Sequence, residues 1–209
     1  MDPARLLEAR LDQCPLIAII RGITPDEVEA VGAAIFEAGI RIIEVPLNSP
    51  EPLRSIRRLA ATLGDRALVG AGTVLEAIDV ARVAEAGGQL IVSPNTNSEV
   101  ICAAAGAGLV SAPGYFTPSE AFAALEAGAH ALKLFPAEAA SPNVVKAQRA
   151  VLPKEVSLIV VGGISPDNMQ PWLDAGATGF GLGSGLYKPG QSAEETGRKA
   201  AAYVAGLGR

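Results

Sequence analysis

One eight-residue pattern occurs four times in this chain, and the copies align without gaps. They are Glu37-Ala38-Gly39-Ile40-Arg41-Ile42-Ile43-Glu44, Glu85-Ala86-Gly87-Gly88-Gln89-Leu90-Ile91-Val92, Glu126-Ala127-Gly128-Ala129-His130-Ala131-Leu132-Lys133 and Asp174-Ala175-Gly176-Ala177-Thr178-Gly179-Phe180-Gly181. Each copy reads as a helix end, a glycine that closes it and a strand. Successive copies start 48, 41 and 48 residues apart, by subtraction of 37, 85, 126 and 174. One βα unit of a barrel takes about half that length, so a second unit fits between each pair. Apolar stretches at 16–20, 67–70, 109–112 and 157–161 supply those strands. Eight strands alternating with helical stretches predict a parallel sheet closed into a single (β/α)8 barrel of the TIM type. That barrel accounts for residues 1–209 as one domain, and residues 2–13 read as a helix capping its bottom.

The alignment also sets side-chain direction. Glu44, Val92, Lys133 and Gly181 share a register on strands 2, 4, 6 and 8. Alternate strands of such a barrel contribute the four inward side chains of one layer. Glu44 and Lys133 are then expected to face each other near the C-terminal mouth. Lysine is rarely buried without a partner, and a desolvated amine loses its charge and gains nucleophilicity. The pattern therefore points to covalent chemistry with a carbonyl compound. A structural ion pair is the alternative, but a buried pair is often no more stabilising than apolar side chains.

Glycines mark a second feature. Strand 7 runs into Gly162-Gly163-Ile164, and strand 8 into Gly183-Ser184-Gly185. The loops after these two strands commonly cradle phosphate in barrels, through backbone N–H groups. Ordinary turn chemistry is the alternative for each pair taken singly. Ser165 is placed to cap the following helix, with Pro166 at its first position. Arg21 follows strand 1, Thr73 strand 3 and Pro94 strand 4, so all three belong to the same mouth. Thr73 suits a carboxylate ligand or, alternatively, a helix N-cap; Arg21 is a ligand or a rim charge.

Composition excludes several other classes. Net charge is −5, and no basic run interleaves with aromatics, which argues against nucleic acid and anionic membrane as partners. No apolar run approaches the roughly 18 residues of a membrane span. His130 is the sole histidine, so neither a zinc or iron site nor a Ser-His-Asp triad is expected. It reads as a hydrogen-bonded structural residue. No dinucleotide fingerprint follows the first strand. Cys14 and Cys102 lack motif spacing and fit packing roles in a reducing compartment.

The pieces Glu44-Val45, Gly70-Ala71-Gly72-Thr73-Val74, Ser93-Pro94, Lys133-Leu134-Phe135-Pro136-Ala137-Glu138, Gly162-Gly163-Ile164 and Gly183-Ser184 occur together. In that combination the chain resembles, over nearly its whole length, the 2-keto-3-deoxy-6-phosphosugar acid aldolases. These are class I enzymes that work through a Schiff base. The resemblance implies that Lys133 is the Schiff-base lysine and Glu44 the general acid/base, with no cofactor. It implies that Arg21, Thr73, Pro94, Val161, Gly162, Gly163, Gly183 and Ser184 bind a phosphorylated sugar acid and pyruvate. It also implies a homotrimer and a cytoplasmic pathway. Arg21, Asn48 and Val161 depart from the gluconate-type enzymes and are similar to the branch that takes the C4 epimer, the galactonate. Remaining alternatives are the gluconate epimer, a 4-hydroxy-2-oxo acid, and a phosphosugar-binding barrel without chemistry.

Overall fold

Strand residues alternate between two environments, and this alternation builds the molecule. A computed structural model describes residues 2–208. On β1 (Leu16–Ile19), Ile17 and Ile19 join an inner apolar cluster while Leu16 and Ala18 join an outer one. The same division runs through β2 (Ile42–Pro46), β3 (Leu68–Gly72), β4 (Leu90–Val92) and β5 (Val110–Ala112). It continues through β6 (Gly114–Tyr115), β7 (Ala131–Leu134), β8 (Ser157–Val161) and β9 (Gly179–Leu182). All pairings between these strands are parallel, in the order β5-β4-β3-β2-β1-β9-β8-β7-β6. A parallel strand buried on both faces needs an inner and an outer core, and the barrel provides both.

The expected fifth strand, 109–112, is β5, and a second short segment, β6, follows it. Pro113 lies between β5 and β6 and has no N–H to offer the ladder. Its carbonyl still accepts from Lys133 N at 2.9 Å, and Ser111 O accepts from His130 N at 2.9 Å. The barrel thus closes between β5/β6 and β7, and its nine segments make eight barrel positions.

All four repeat glycines turn the chain from helix to strand in the same way. Gly39, Gly87, Gly128 and Gly176 have φ between +85° and +114°, the left-handed region that glycine enters without strain. The next residue donates back across the helix end in each copy: Ile40 N to Ile35 O at 3.3 Å, Gly88 N to Val83 O, Ala129 N to Ala124 O and Ala177 N to Trp172 O at 2.9 to 3.0 Å.

Helix α1 (Pro3–Gln13) begins where expected, with the Asp2 side chain accepting from Arg5 N. Its Leu7 and Leu11 belong to the inner cluster with Ile17, Ile42, Leu68, Leu90 and Val110. These two side chains close the bottom of the barrel, so the top is the open end. His130 sits at this lower end, and its Nδ1 accepts from Ser111 N at 3.0 Å. Burial holds its pKa below the usual value. No helix of the described residues is long and apolar enough to cross a membrane.

One expected helix start does not occur. After β8, Ser165 caps no helix; residues 166–168 form a turn, and α8 (Gln170–Asp174) begins later. Asn168 explains the delay. Its Oδ1 accepts from Ser165 N at 2.9 Å and its Nδ2 donates to Gly163 O at 2.8 Å, a local competition with helix formation.

Candidate active site

The open end of the barrel is a cleft of about 710 Å³. Glu44, Arg21, Thr73, Pro94, Lys133, Val161, Gly162, Gly163, Gly183 and Ser184 all line it. These ten residues, all read from the sequence as site candidates, therefore converge on one space.

Lys133 projects inward from β7, and its backbone is fixed by the Pro113 carbonyl. Its flanking residues Leu132 and Leu134 point the other way, into the outer core. The lysine is only 7 % exposed. Burial pulls its pKa down, the Arg21 charge adds to that, and Glu44 opposes it. The Phe135 ring lies 5.0 Å from Nζ and walls the amine on one side.

Glu44 projects inward from β2, four barrel positions away, and is 2 % exposed. Burial raises its pKa from 4.5 to about 7, against the pull of Lys133 and Arg21. Its Oε2 has no hydrogen-bond partner among the described residues. The expected layer is present, since Glu44, Val92, Lys133 and Gly181 line one small space at the barrel axis. A carboxyl tuned near neutrality and an amine biased toward its free base form a pair suited to proton transfer and nucleophilic attack.

Arg21 stands at the rim but is held. Its guanidinium donates to Asn48 Oδ1 and to Thr73 Oγ1, the latter at 3.3 Å. Thr73 has φ +55°, a costly conformation for a β-branched residue, and it is no helix cap, since α4 (Ala77–Glu85) starts beyond Glu76. Asn48 is exposed and does not line the cleft; it acts on the site through Arg21. Gly22 N donates to Ser49 Oγ at 2.9 Å, which ties the loops after β1 and β2 together.

Opposite Arg21, the turns after β8 and β9 form the glycine-lined wall. Gly162 and Gly163 both have positive φ. Ser184 follows Gly183 in a turn whose Gly183 carbonyl accepts from Leu186 N at 2.9 Å. Glu138, Tyr187, Lys188 and Tyr203 complete this side, none of them anticipated from the sequence. Tyr203 reaches it from the last long helix, α9 (Ala193–Ala205), donating to Ile164 O at 2.8 Å. Lys188 brings an exposed positive charge beside Ser184. Among the described residues, no three His, Cys, Asp or Glu side chains come together as a metal site.

A barrel whose mouth presents a buried lysine and a neutral-range carboxyl defines a class of carbonyl-processing enzyme. The model of the family "KDPG and KHG aldolase" matches residues 7–197, and the chain belongs to that family. It is 53% identical over 190 residues to 2-dehydro-3-deoxy-6-phosphogalactonate aldolase of Escherichia coli (strain K12), covering 91% of this chain and 93% of that one. The KHG/KDPG aldolase of the same organism is 33% identical over 79% of this chain and 78% of its own. A solved structure described as native KDPGal superposes with a TM-score of 0.92 at 51% identity, covering 93% of this chain and 95% of that one.

Proposed function

We propose that this protein cleaves 2-dehydro-3-deoxy-6-phosphogalactonate reversibly to pyruvate and glyceraldehyde 3-phosphate. The observation that carries the reading is Lys133, an amine buried at the open end of a barrel opposite the orphaned carboxyl of Glu44. The neutral amine attacks the C2 ketone, and loss of one water gives a protonated imine. Glu44 takes the proton of the C4 hydroxyl. The C3–C4 bond breaks, its electrons flow into the imine to form an enamine, and the aldehyde departs. Protonation at C3 and addition of one water release pyruvate and restore Lys133.

Arg21 and Thr73 hold the carboxylate end of the substrate. Pro94 shapes the wall beyond strand β4. Gly162, Gly163, Gly183 and Ser184 cradle the phosphate at the other end, with the Lys188 charge nearby. This arrangement stretches the sugar acid across the mouth, with C2 over Lys133. The enzyme works as one barrel domain in a cytoplasmic homotrimer, as the resemblance implies.

Val161 governs the choice of epimer. It is buried at the end of β8, with its methyls toward Gly181, on the path between Lys133 and the glycine wall. An apolar side chain offers no partner to a C4 hydroxyl pointed at it. An unpaired group costs roughly 1–3 kcal/mol, about one to two decades in selectivity. The galactonate epimer should therefore have the higher kcat/KM by that margin over the gluconate epimer. Val161→Thr should narrow the gap. Side-by-side assays of both epimers test this, and equal kcat/KM values in the wild type would overturn the substrate assignment.

A further inference from the structure

Glu44 occupies space that belongs, sterically, to residue 72. Gly72 is the last residue of β3, two positions beyond Gly70, which is the register partner of Glu44. Inward positions on β3 alternate as Leu68, Gly70 and Gly72, while Val69 and Ala71 join the outer core. A Cβ on Gly72 would lie 1.4 Å from Glu44 Oε2, 2.3 Å from its Cδ and 2.6 Å from its Oε1. Those three carboxyl atoms are the nearest that such a Cβ would meet.

The comparison with Gly70 separates two roles. A Cβ on Gly70 would meet the Leu90 carbonyl oxygen at 2.0 Å, so that glycine is needed for strand packing. The obstacle at Gly72 is a side chain, and its φ is not in the left-handed region, so an alanine is compatible with the backbone there. The space above Gly72 therefore serves the carboxyl group. It lets the carboxyl lean over β3, with Oε2 uncommitted.

We infer that Gly72 is a positioning residue of the reaction, which parks the Glu44 carboxyl over β3 so that it meets the substrate hydroxyl and not the lysine. The inference rests on Glu44 being the base. Filling the space displaces the carboxyl by an ångström or more, a misplacement that costs on the order of 10²-fold in rate. The displaced group moves off β3 into the cleft whose wall it shares with Lys133, and a closer positive charge lowers a carboxyl pKa.

The test is Gly72→Ala in the full-length enzyme. Its kcat should fall by about 10²-fold with KM little changed, and borohydride should still trap pyruvate on the protein. The rising limb of kcat against pH should move to lower pH. Gly72→Ala should add nothing to the loss caused by Glu44→Gln, because both act through one group. Additive losses, or an unchanged kcat and pH profile, would overturn the inference while leaving Glu44 as the base. Normal cleavage by Glu44→Gln would remove the base assignment and this inference with it. Should Gly72→Ala fail to fold, Gly72→Ala/Glu44→Ala should fold and melt like the wild type. A double variant that also fails would overturn the role.

Discussion

Lys133→Ala should abolish both turnover and the mass added when the enzyme is reduced with borohydride in the presence of pyruvate. The wild type should gain that mass on one peptide, the one containing Lys133. Two lysines line the cleft, and they sit in different surroundings. Lys188 is exposed at the rim, where water solvates its charge. Lys133 is 7 % exposed, between apolar neighbours, with the Arg21 charge adding to the desolvation that lowers its pKa. Burial disfavours the ammonium form, so the free amine needed to attack a ketone is present at a lower pH than for an exposed lysine. Folding pays for this. Lys133 sheds its proton at lower pH when folded than when unfolded, so its penalty is full below the folded pKa and fades as pH rises toward 10.5. Lys133→Met should therefore melt no lower than the wild type at neutral pH, which separates loss of chemistry from loss of fold in a thermal scan. Labelling at Lys188 or Lys146 would overturn the assignment.

The barrel was legible because its repeat carries structure at every level. A glycine that must turn left-handed, placed after each helix, fixes where four strands begin, and register then fixes which side chains point inward. That is how Glu44 and Lys133 could be paired across the axis from sequence alone. Period-two alternation is a local property of the chain, so it survives without knowledge of neighbours. The misreadings have non-local or competing causes. Past the expected strand at 109–112, Pro113 sets off a further short segment, Gly114–Tyr115, that no apolar run marks. Ser165-Pro166 has the composition of a helix start, but Asn168 folds back onto Gly163 and Ser165 and holds a turn instead. Glu138, Lys188 and Tyr203 reach the cleft from a short 3-10 turn, a loop and a distant helix, where no periodic rule gives direction. Asn48, which with Arg21 and Val161 marks the galactonate-type branch, lies behind Arg21, because a long guanidinium spans the interval between the two loops. The space over Gly72 had no sequence signal, since nothing in a run of Gly-Ala-Gly-Thr says which glycine faces another residue's carboxyl.

Glu44→Gln keeps the shape of the side chain and removes its basicity. The variant should still form the pyruvate imine, slowly, while cleavage falls by roughly 10²–10⁴-fold, the usual contribution of a positioned acid/base. The pH dependence identifies the group. Glu44 must be ionised to accept the C4 hydroxyl proton, and burial has raised its pKa from 4.5 to about 7. Wild-type cleavage should accordingly rise through about pH 7 and level off above it, and the inflection should vanish in Glu44→Gln. Stability should move in the opposite sense. The folded protein holds this proton between pH 4.5 and about 7, where the unfolded chain has released it. The neutral carboxyl's advantage is thus full below 4.5 and lost as pH rises through 7. A glutamine cannot ionise, so the variant should match the wild type in denaturant melts near pH 4. Above pH 7 it should exceed the wild type by a few kcal/mol, at roughly 1.4 kcal/mol per pKa unit. Near-normal cleavage by Glu44→Gln would make water or another group the base. A stability difference independent of pH would mean that burial does not raise the Glu44 pKa.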